Sequence, residues 1–425
     1  MKHVQVRLSS LRHFLFGAAA LAFAILTSSA WMAEWLYPLD TSSLWTLPQY
    51  RNLDHEIYRA RLALRFAPQD PRYLYQLGKL YADKMPSESL TYSPGGATDR
   101  AVRDMKDAIR YRPVVAEHHA GFALFLQKIA AAESRLPGSR LTSELMELSE
   151  EEVNRALFLS PMHHGIRAYA ATYYQYRGQR EKSLALWRSI LEEDPAQTSD
   201  ILKQCFKFYG DHSFLPEVAP RANIDQLVRF QYFLITFRPD GWGEEGHLAT
   251  LPVLMETSRQ SQEENLSLIE IIGKSYWSAK KYDDAYLWYR KGFERARTDE
   301  LRAPFLRDAA SILLQQGKIA EARAALEPYL ALSSVDGEIL VLYAQSVGYL
   351  GDKTKAIEWM KQAVAQKDPK PNWRLELASM LFDVGQYGEA VREWQTSLEE
   401  IAGTNYEADY RAKILLKIGE AQEKM

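Results

Sequence analysis

A fixed 34-residue spacing near the C-terminal end constrains the fold more than any other feature of this sequence. Glycines recur with that period, and an alanine follows each of them five residues later. The positions are Gly317, Gly351, Gly385, Ala322, Ala356 and Ala390. Self-similarity at a fixed period of this length is typical of a solenoid built from stacked, similar units. Apolar residues recur at helical spacing along most of the chain, without sustained strand alternation, so the sequence predicts an all-α fold.

The residue types in this pattern have a physical reason. A small side chain allows two helices to cross closely, whereas a larger one would push their backbones apart. Glycine can end a helix in the left-handed conformation, which costs other residues free energy. The periodic Gly and Ala therefore predict packed helix pairs and do not by themselves indicate chemistry.

The sequence resembles the tetratricopeptide repeat (TPR) family, whose unit is two antiparallel helices in 34 residues. Six stretches match the small, aromatic, glycine and alanine positions of the family pattern. They are Leu77, Gly78 and Tyr81; Ala170, Ala171, Tyr174, Gly178, Ser183, Trp187, Ile190 and Pro195; Ile272, Gly273, Tyr276, Ala285, Tyr289 and Gly292; Ala309, Ala310, Gly317, Ala322 and Leu326; Tyr343, Ala344, Gly351, Ala356, Met360 and Ala363; Leu377, Ala378, Gly385, Ala390 and Trp394. The resemblance implies a right-handed superhelical solenoid of antiparallel helix pairs.

The match divides the chain into four helical parts. TPR-like repeats with two insertions are predicted over 53–207, an irregular helical region over 208–265, and further TPR repeats over 266–405. The last segment, 406–425, is predicted to be a capping helix with a polar outer face, as solenoid ends require.

The two insertions are rich in Pro, Gly and Ser, which predicts loops. They lie between Tyr81 and Ala101 and between Leu126 and Val153. Within the second insertion, Ser149 followed by Glu152 has the spacing of a capping box. The sequence therefore predicts that a helix starts at Ser149.

The N-terminal segment predicts a membrane anchor. Residues 14–36 are predicted to span the membrane, since they contain a twenty-residue apolar run that is long enough to cross the hydrocarbon core. Lys2, Arg7 and Arg12 precede this run, whereas the next Lys or Arg after it is Arg51, so 1–13 is expected in the cytoplasm. Residues 37–52 then form a linker, and the repeats lie on the extracytoplasmic side, which is the periplasm of a single-pass inner-membrane protein.

A cleaved signal peptide is the alternative interpretation of this segment. Ser28 and Ala30 stand at the −3 and −1 positions of a small-residue cleavage site. Both interpretations place the repeats across the membrane.

The composition gives little indication of catalysis. Cys205 is the only cysteine, which excludes an intramolecular disulfide and a cysteine-based zinc site. The formal net charge is −3, which argues against a nucleic-acid partner. The neighbouring histidines at 118–119 and at 163–164 point about 100° apart on a helix and so do not readily chelate one metal ion. The sequence therefore predicts a protein that is not an enzyme and that has no metal or cofactor.

The resemblance also implies a partner-binding groove. In the family, the first helix of each unit lines a concave surface at positions that packing leaves free to vary. The groove residues predicted here are Arg72, Tyr75, Lys79, Gln127, Glu270, Lys274, Trp277, Arg307, Glu338, Gln345, Asn372 and Phe382, with Glu117, Leu124, Ser267, Ser311 and Ser379 beside them. Trp277 and Phe382 are the expected anchors for a partner segment.

The predicted function is that of a membrane-anchored extracytoplasmic scaffold that binds partner proteins. By resemblance to anchored TPR proteins, the expected process is envelope assembly, with a preference for exopolysaccharide or O-antigen biosynthesis or export. Two alternatives remain open at this point. Aromatic side chains in the groove would favour carbohydrate binding, and a uniformly polar lining would favour a passive structural spacer.

Overall fold

The structure, a computed structural model, describes residues 32–33, 53–85, 92–135, 141–237, 245–261, 265–331, 336–366, 369–403 and 407–425. These residues are mostly helical, and no strand occurs among them. The chain divides into two compact units, Met1–Ile190 and Leu191–Met425, which we call the N-terminal unit and the C-terminal unit.

The N-terminal unit consists of consecutive helices in which neighbours pack against each other, as Pro71–Lys84 does with Ala97–Tyr111 and Ala116–Glu133 with Leu141–Leu159. Its largest buried side chains include those of Tyr73, Phe122 and Phe125. The helix α7 spans Arg180–Glu193. The helices before it are α1 (Leu53–Phe66), α2 (Pro71–Lys84), α3 (Ala97–Tyr111), α4 (Ala116–Glu133), α5 (Leu141–Leu159) and α6 (His164–Tyr176).

The C-terminal unit begins irregularly and then becomes a regular series of helix pairs. The irregular part contains α8 (Thr198–Tyr209), α9 (Leu215–Val218), α10 (Ile224–Thr236) and α11 (Leu251–Gln260). The pairs are α12 (Leu266–Ser278) with α13 (Tyr282–Arg295), α14 (Asp299–Gln315) with α15 (Ile319–Leu326), α16 (Gly337–Tyr349) with α17 (Lys353–Val364), and α18 (Pro371–Asp383) with α19 (Tyr387–Ile401). The last helix is α20 (Glu407–Gln422).

The periodic glycines end the first helix of three of these pairs, as predicted. Gly317, Gly351 and Gly385 have φ of +74°, +101° and +80°. After each of them the next amide N–H donates backward by five residues, for example from Lys318 to the carbonyl of Leu313 at 2.8 Å. This is the Schellman pattern, which satisfies carbonyls that the helix end leaves unpaired.

One pair makes the same turn without glycine. Between α12 and α13 the left-handed position is held by Lys280, with φ of +60°, and the N–H of Lys281 donates to the carbonyl of Tyr276 at 2.9 Å. The turn is therefore set by the packing of the two helices, and glycine only lowers its cost.

The periodic alanines lie where the helices approach closely. Ala322, Ala356 and Ala390 are at most 1% exposed. Glycine serves the same purpose on α12, since a Cβ added to Gly273 would come within 2.9 Å of the Tyr289 ring. The small residues are therefore required by packing, as the sequence predicts.

The capping box predicted at Ser149 is wrong. Ser149 and Glu152 lie within α5, which begins at Leu141, and both side chains are buried. The Ser149 hydroxyl donates to the Ala123 carbonyl on α4 at 2.8 Å. Much of the second insertion thus extends helices, since α4 and α5 have 18 and 19 residues, and is not a loop.

The predicted anchor, 14–36, lies outside the described residues except for Met32 and Ala33, which are helical. Ala33 is buried within the N-terminal unit. Among the described residues, no helix has both the length and the apolar character that a membrane crossing needs.

The predicted final helix is present as α20. Ile414 and Ile418 are buried against the core of the preceding pairs. Its outer face is not uniformly polar, however, because Leu415 and Leu416 are 51% and 65% exposed. The prediction of a polar outer face is therefore wrong at these two positions.

Candidate groove of the C-terminal unit

The first helices of four successive pairs surround a cavity of about 430 Å³ in the C-terminal unit. They bring together predicted groove residues that are far apart in sequence. Those residues are Trp277, Arg307, Ser311, Glu338, Gln345 and Asn372. Other side chains that line this cavity are Asp308, Val341, Leu342, Lys370, Trp373 and Glu376.

A second cavity of about 270 Å³ adjoins the first, since Gln345 and Glu376 line both. It is formed by α16, α17 and α18. Its remaining lining residues are Gly348, Tyr349, Lys353, Ala356, Ser379, Met380 and Asp383. We call the two cavities together the C-terminal groove. It presents polar side chains of both charges above a partly apolar floor.

Ion pairs join successive repeats within the groove. Nη1 of Arg307 on α14 lies 2.7 Å from a carboxylate oxygen of Glu338 on α16. Nε of the same side chain donates to Asp308 at 3.1 Å. Lys370, at the start of α18, also pairs with Glu338. Arg307 and Lys370 therefore already have anionic partners in this structure.

Glu376, in contrast, has no partner of opposite charge among the described residues. Nε2 of Gln345 donates to its carboxylate at 2.7 Å, and this is its one hydrogen bond among the described residues. No Lys, Arg or His of those residues forms an ion pair with it. Burial raises the pKa of the Glu376 carboxyl, and the hydrogen bond from Gln345 only partly opposes this effect. The pKa of Asp308 is also raised by burial, although Arg307 counteracts the shift.

The two predicted anchors lie in different surroundings. Trp277 lines the first cavity; its indole N–H donates to Gln315 at 3.1 Å and its ring meets Tyr289 edge to face. Phe382 lines neither cavity. Its ring packs near Tyr387 and Trp394 and lies 4.5 Å under the ammonium of Lys424.

Glu270 and Lys274 do not line the C-terminal groove either. They pair with each other along α12 at 2.5 Å. Such an i,i+4 pair on a helix surface contributes only about 0.3–0.5 kcal/mol. These two residues therefore form a local contact beside the groove.

The N-terminal unit has a separate cavity of about 330 Å³, formed by α2, α3, α4 and α6. It is lined by four predicted groove residues, which are Tyr75, Lys79, Glu117 and Leu124. Two others, Arg72 and Gln127, do not line it. The other lining residues are Ala82, Asp83, Met105, Ala120, Gly121, Phe125, Lys128, His163, Gly165, Ile166 and Tyr169.

Tyr75 has a fixed position at this cavity. Its ring stacks on His118 at 4.5 Å between centroids, and its hydroxyl donates to the carbonyl of Glu117 at 3.2 Å. Burial raises the pKa of Tyr75 to about 12. A Cβ at Gly121 would come within 1.8 Å of the Tyr75 hydroxyl oxygen, so any larger residue here would displace the Tyr75 ring.

The described aromatic side chains lie mostly in the seams between helices. Tyr73, Tyr173 and Tyr289 are fully buried, and Trp373 is 6% exposed. Of the aromatic side chains that line the C-terminal groove, Tyr349 is exposed at the second cavity and Trp277 is half-buried at the first. The groove therefore lacks the row of flat aromatic faces on which sugar rings would stack. Among the described residues, no cluster of three or more His, Cys, Asp or Glu could hold a metal ion.

Comparison with known proteins gives weak likenesses of structure. No protein-family model and no curated protein matches the sequence. The Cut9–Hcn1 structure from the APC/C hetero-tetramer is 13% identical, with a TM-score of 0.34, and the match covers 88% of this chain and 80% of that chain. Yeast Tom70 is 14% identical, with a TM-score of 0.33 and coverage of 88% and 92%.

A tetratricopeptide repeat protein from Parabacteroides merdae is 16% identical, with a TM-score of 0.31 and coverage of 73% and 98%. All three similarities are weak both in sequence and in superposition. The TPR-like character of this chain therefore rests on its own helix pairs and glycine turns.

Proposed function

We propose that this protein is a scaffold that binds partner proteins through the C-terminal groove. One observation carries the proposal: four successive helix pairs direct Trp277, Arg307, Ser311, Gln345 and Asn372 toward one continuous groove. The sides of the helices that face the core are apolar and close-packed, whereas the groove side is polar and open. An extended partner segment fits such a surface better than a compact small molecule does.

The proposal includes the location of the scaffold. Residues 14–36 anchor the chain in the inner membrane with the N-terminus in the cytoplasm, and the repeats face the periplasm. Support comes from the apolar run and from the basic residues that precede it. The process served is envelope assembly, with exopolysaccharide or O-antigen export as the first candidate, by resemblance to anchored TPR proteins.

The groove is tested by comparing two variants that gain the same side chain. Asn372→Arg places a bulky cation in the first cavity, and Gln395→Arg places one on α19, outside both cavities. Both residues are exposed, so neither change should disturb the core. We expect tagged full-length Asn372→Arg to recover its crosslinked partners at least tenfold less than the wild type, and Gln395→Arg to recover them unchanged. Equal recovery by both variants would contradict the proposal.

Carbohydrate binding is an outcome of the same experiment. If glycan copurifies with the wild type and no protein is lost with Asn372→Arg, the sugar-binding alternative replaces the scaffold. If neither a protein nor a glycan depends on the groove, the chain acts as a spacer.

The anchor is tested separately by extraction of membranes with alkaline carbonate and by N-terminal sequencing. We expect the wild type to stay in the membrane pellet with an intact N-terminus, and a Phe23→Arg/Ile25→Arg variant to be released. A mature N-terminus at Trp31 would show cleavage after Ala30 and overturn the anchor. Digestion of the repeats by protease added to spheroplasts is the expected sign of the periplasmic location.

A further inference from the structure

The charges of the C-terminal groove are not balanced. In the first cavity, Arg307 and Lys370 both pair with Glu338, and Arg307 also donates to Asp308. Glu376 lies where the two cavities meet and forms no ion pair among the described residues. Asp383 and Lys353 line the second cavity and add one charge of each sign. The groove therefore has one more carboxylate than it has cations.

An ionised carboxylate in such a place costs free energy. Removal from water disfavours the charged form, and the single hydrogen bond from Gln345 compensates only in part. A cation brought in by a ligand would supply the missing partner, and a charge-assisted hydrogen bond is stronger than a neutral one.

The neighbours of Glu376 fit a long cationic side chain. Because Gln345 donates through Nε2, its Oε1 remains an acceptor beside the carboxylate, with no partner among the described residues. Val341 and Leu342 line the same cavity and offer apolar surface to an aliphatic stem. Lysine and arginine combine such a stem with a terminal cation.

We propose that Glu376 pairs with a lysine or arginine side chain of the bound partner, so that the C-terminal groove selects segments that carry a positive charge. This inference rests on the proposed function of the groove. Arginine should bind more tightly than lysine, since its planar fork can donate to Glu376 and to Gln345 together.

The test uses the purified full-length chain, immobilised in detergent, and a library of random decapeptides. The peptides are acetylated and amidated, so that only side chains carry charge. We expect the peptides retained by the wild type to be enriched at least threefold in Arg and Lys relative to the input. For Glu376→Gln we expect the ratio of Arg and Lys in the retained peptides to that in the input to fall to about one, which means no enrichment.

The matched control is Glu399→Gln, which makes the same chemical change at an exposed residue of α19, outside both cavities. It should keep the enrichment of the wild type. In a retained peptide, replacement of arginine by citrulline, which keeps the shape and removes the charge, should weaken binding at least tenfold. Thermal unfolding of each variant shows that it is folded.

Three results separate this inference from the proposed function. Retention with enrichment that Glu376→Gln removes supports both. Retention of peptides without Arg or Lys enrichment, or with enrichment that Glu376→Gln keeps, overturns the role of Glu376 and leaves the groove as a protein-binding site. Retention no greater than on an empty column overturns both.

Discussion

The side chain of His119 forms a buried hydrogen bond with Glu152 and so connects α4 to α5. Nδ1 of the imidazole faces the Glu152 carboxylate, and Nε2 lies 2.9 Å from the carbonyl oxygen of Pro113. The His119 side chain is 0% exposed. A histidine that the sequence alone presents as a weak metal-ligand candidate therefore has a structural role.

We expect His119→Ala to destabilise the N-terminal unit by about 1–3 kcal/mol. The substitution removes the imidazole that hydrogen-bonds to the buried Glu152 side chain and leaves it only Arg155, at 3.9 Å; a buried polar group that loses its hydrogen bond typically costs this much. Urea denaturation measures the change. Lys361→Ala is the control, because it breaks a solvent-exposed pair with Glu389 and should cost at most about 1 kcal/mol. A cost below about 1 kcal/mol for His119→Ala would show that the pair contributes little.

The left-handed turns predict opposite effects at equivalent positions of two repeats. Gly317→Ala should destabilise the chain by about 1–2 kcal/mol, since the left-handed conformation is costly for a residue with a Cβ. Lys280→Gly should stabilise it by about 1 kcal/mol, since Lys280 is already held in the left-handed conformation, which is unfavourable for a residue with a Cβ.

Thermal unfolding measures both turn variants, with Gly419→Ala as the control. Gly419 lies within α20, and a Cβ there would contact no heavy atom. Alanine is a better helix former, so this variant should gain about 0.5–1 kcal/mol. Destabilisation by Lys280→Gly would mean that the lysine side chain matters more than its backbone strain.

Glu376→Gln should raise the unfolding temperature at pH 7. Burial raises the pKa of this carboxyl above 4.5, so the folded state binds the proton more tightly than the unfolded state does. Ionisation of Glu376 therefore lowers the free energy of unfolding once the pH exceeds the pKa of Glu376 in the unfolded chain. The decrease grows until the pH reaches the higher pKa of the folded state.

The advantage of Glu376→Gln should disappear below about pH 4, where both states of the wild type are protonated. Unfolding temperatures measured from about pH 3 to 8 test this. Glu399→Gln should show no such pH-dependent gain. A variant Glu376→Gln that melts below the wild type at pH 7 would show that the carboxylate is stabilising in the free protein, and would remove the physical reason for its need of a cationic ligand.

The sequence predicts the repeat turns and crossings well because they follow from backbone geometry. A glycine with positive φ and an alanine between close helices are required wherever the pair recurs. Ser149 shows the limit of local motifs. Its spacing to Glu152 satisfies a capping box, while the buried Leu145 and Val153 continue the same helix on both sides.

The groove was predictable where the repeat register is regular, as at Arg307 and Gln345. Phe382 is another predicted groove residue, but it belongs to the last pair, and the Lys424 ammonium of the closing segment lies over its ring. Glu376 was not predicted as a groove residue because it lies one residue after a groove position of the repeat. The signal available was a carboxylate placed between two leucines, Leu375 and Leu377.

The most direct test of a partner-binding groove is site-specific photocrosslinking in native membranes. A benzophenone side chain at Ser311 lies in the first cavity, and one at Gln395 lies outside both cavities. We expect a discrete protein adduct from Ser311 that Asn372→Arg removes, and no adduct of the same mass from Gln395. The same adduct from both positions, or an adduct from Ser311 that Asn372→Arg leaves unchanged, would contradict the partner-binding groove.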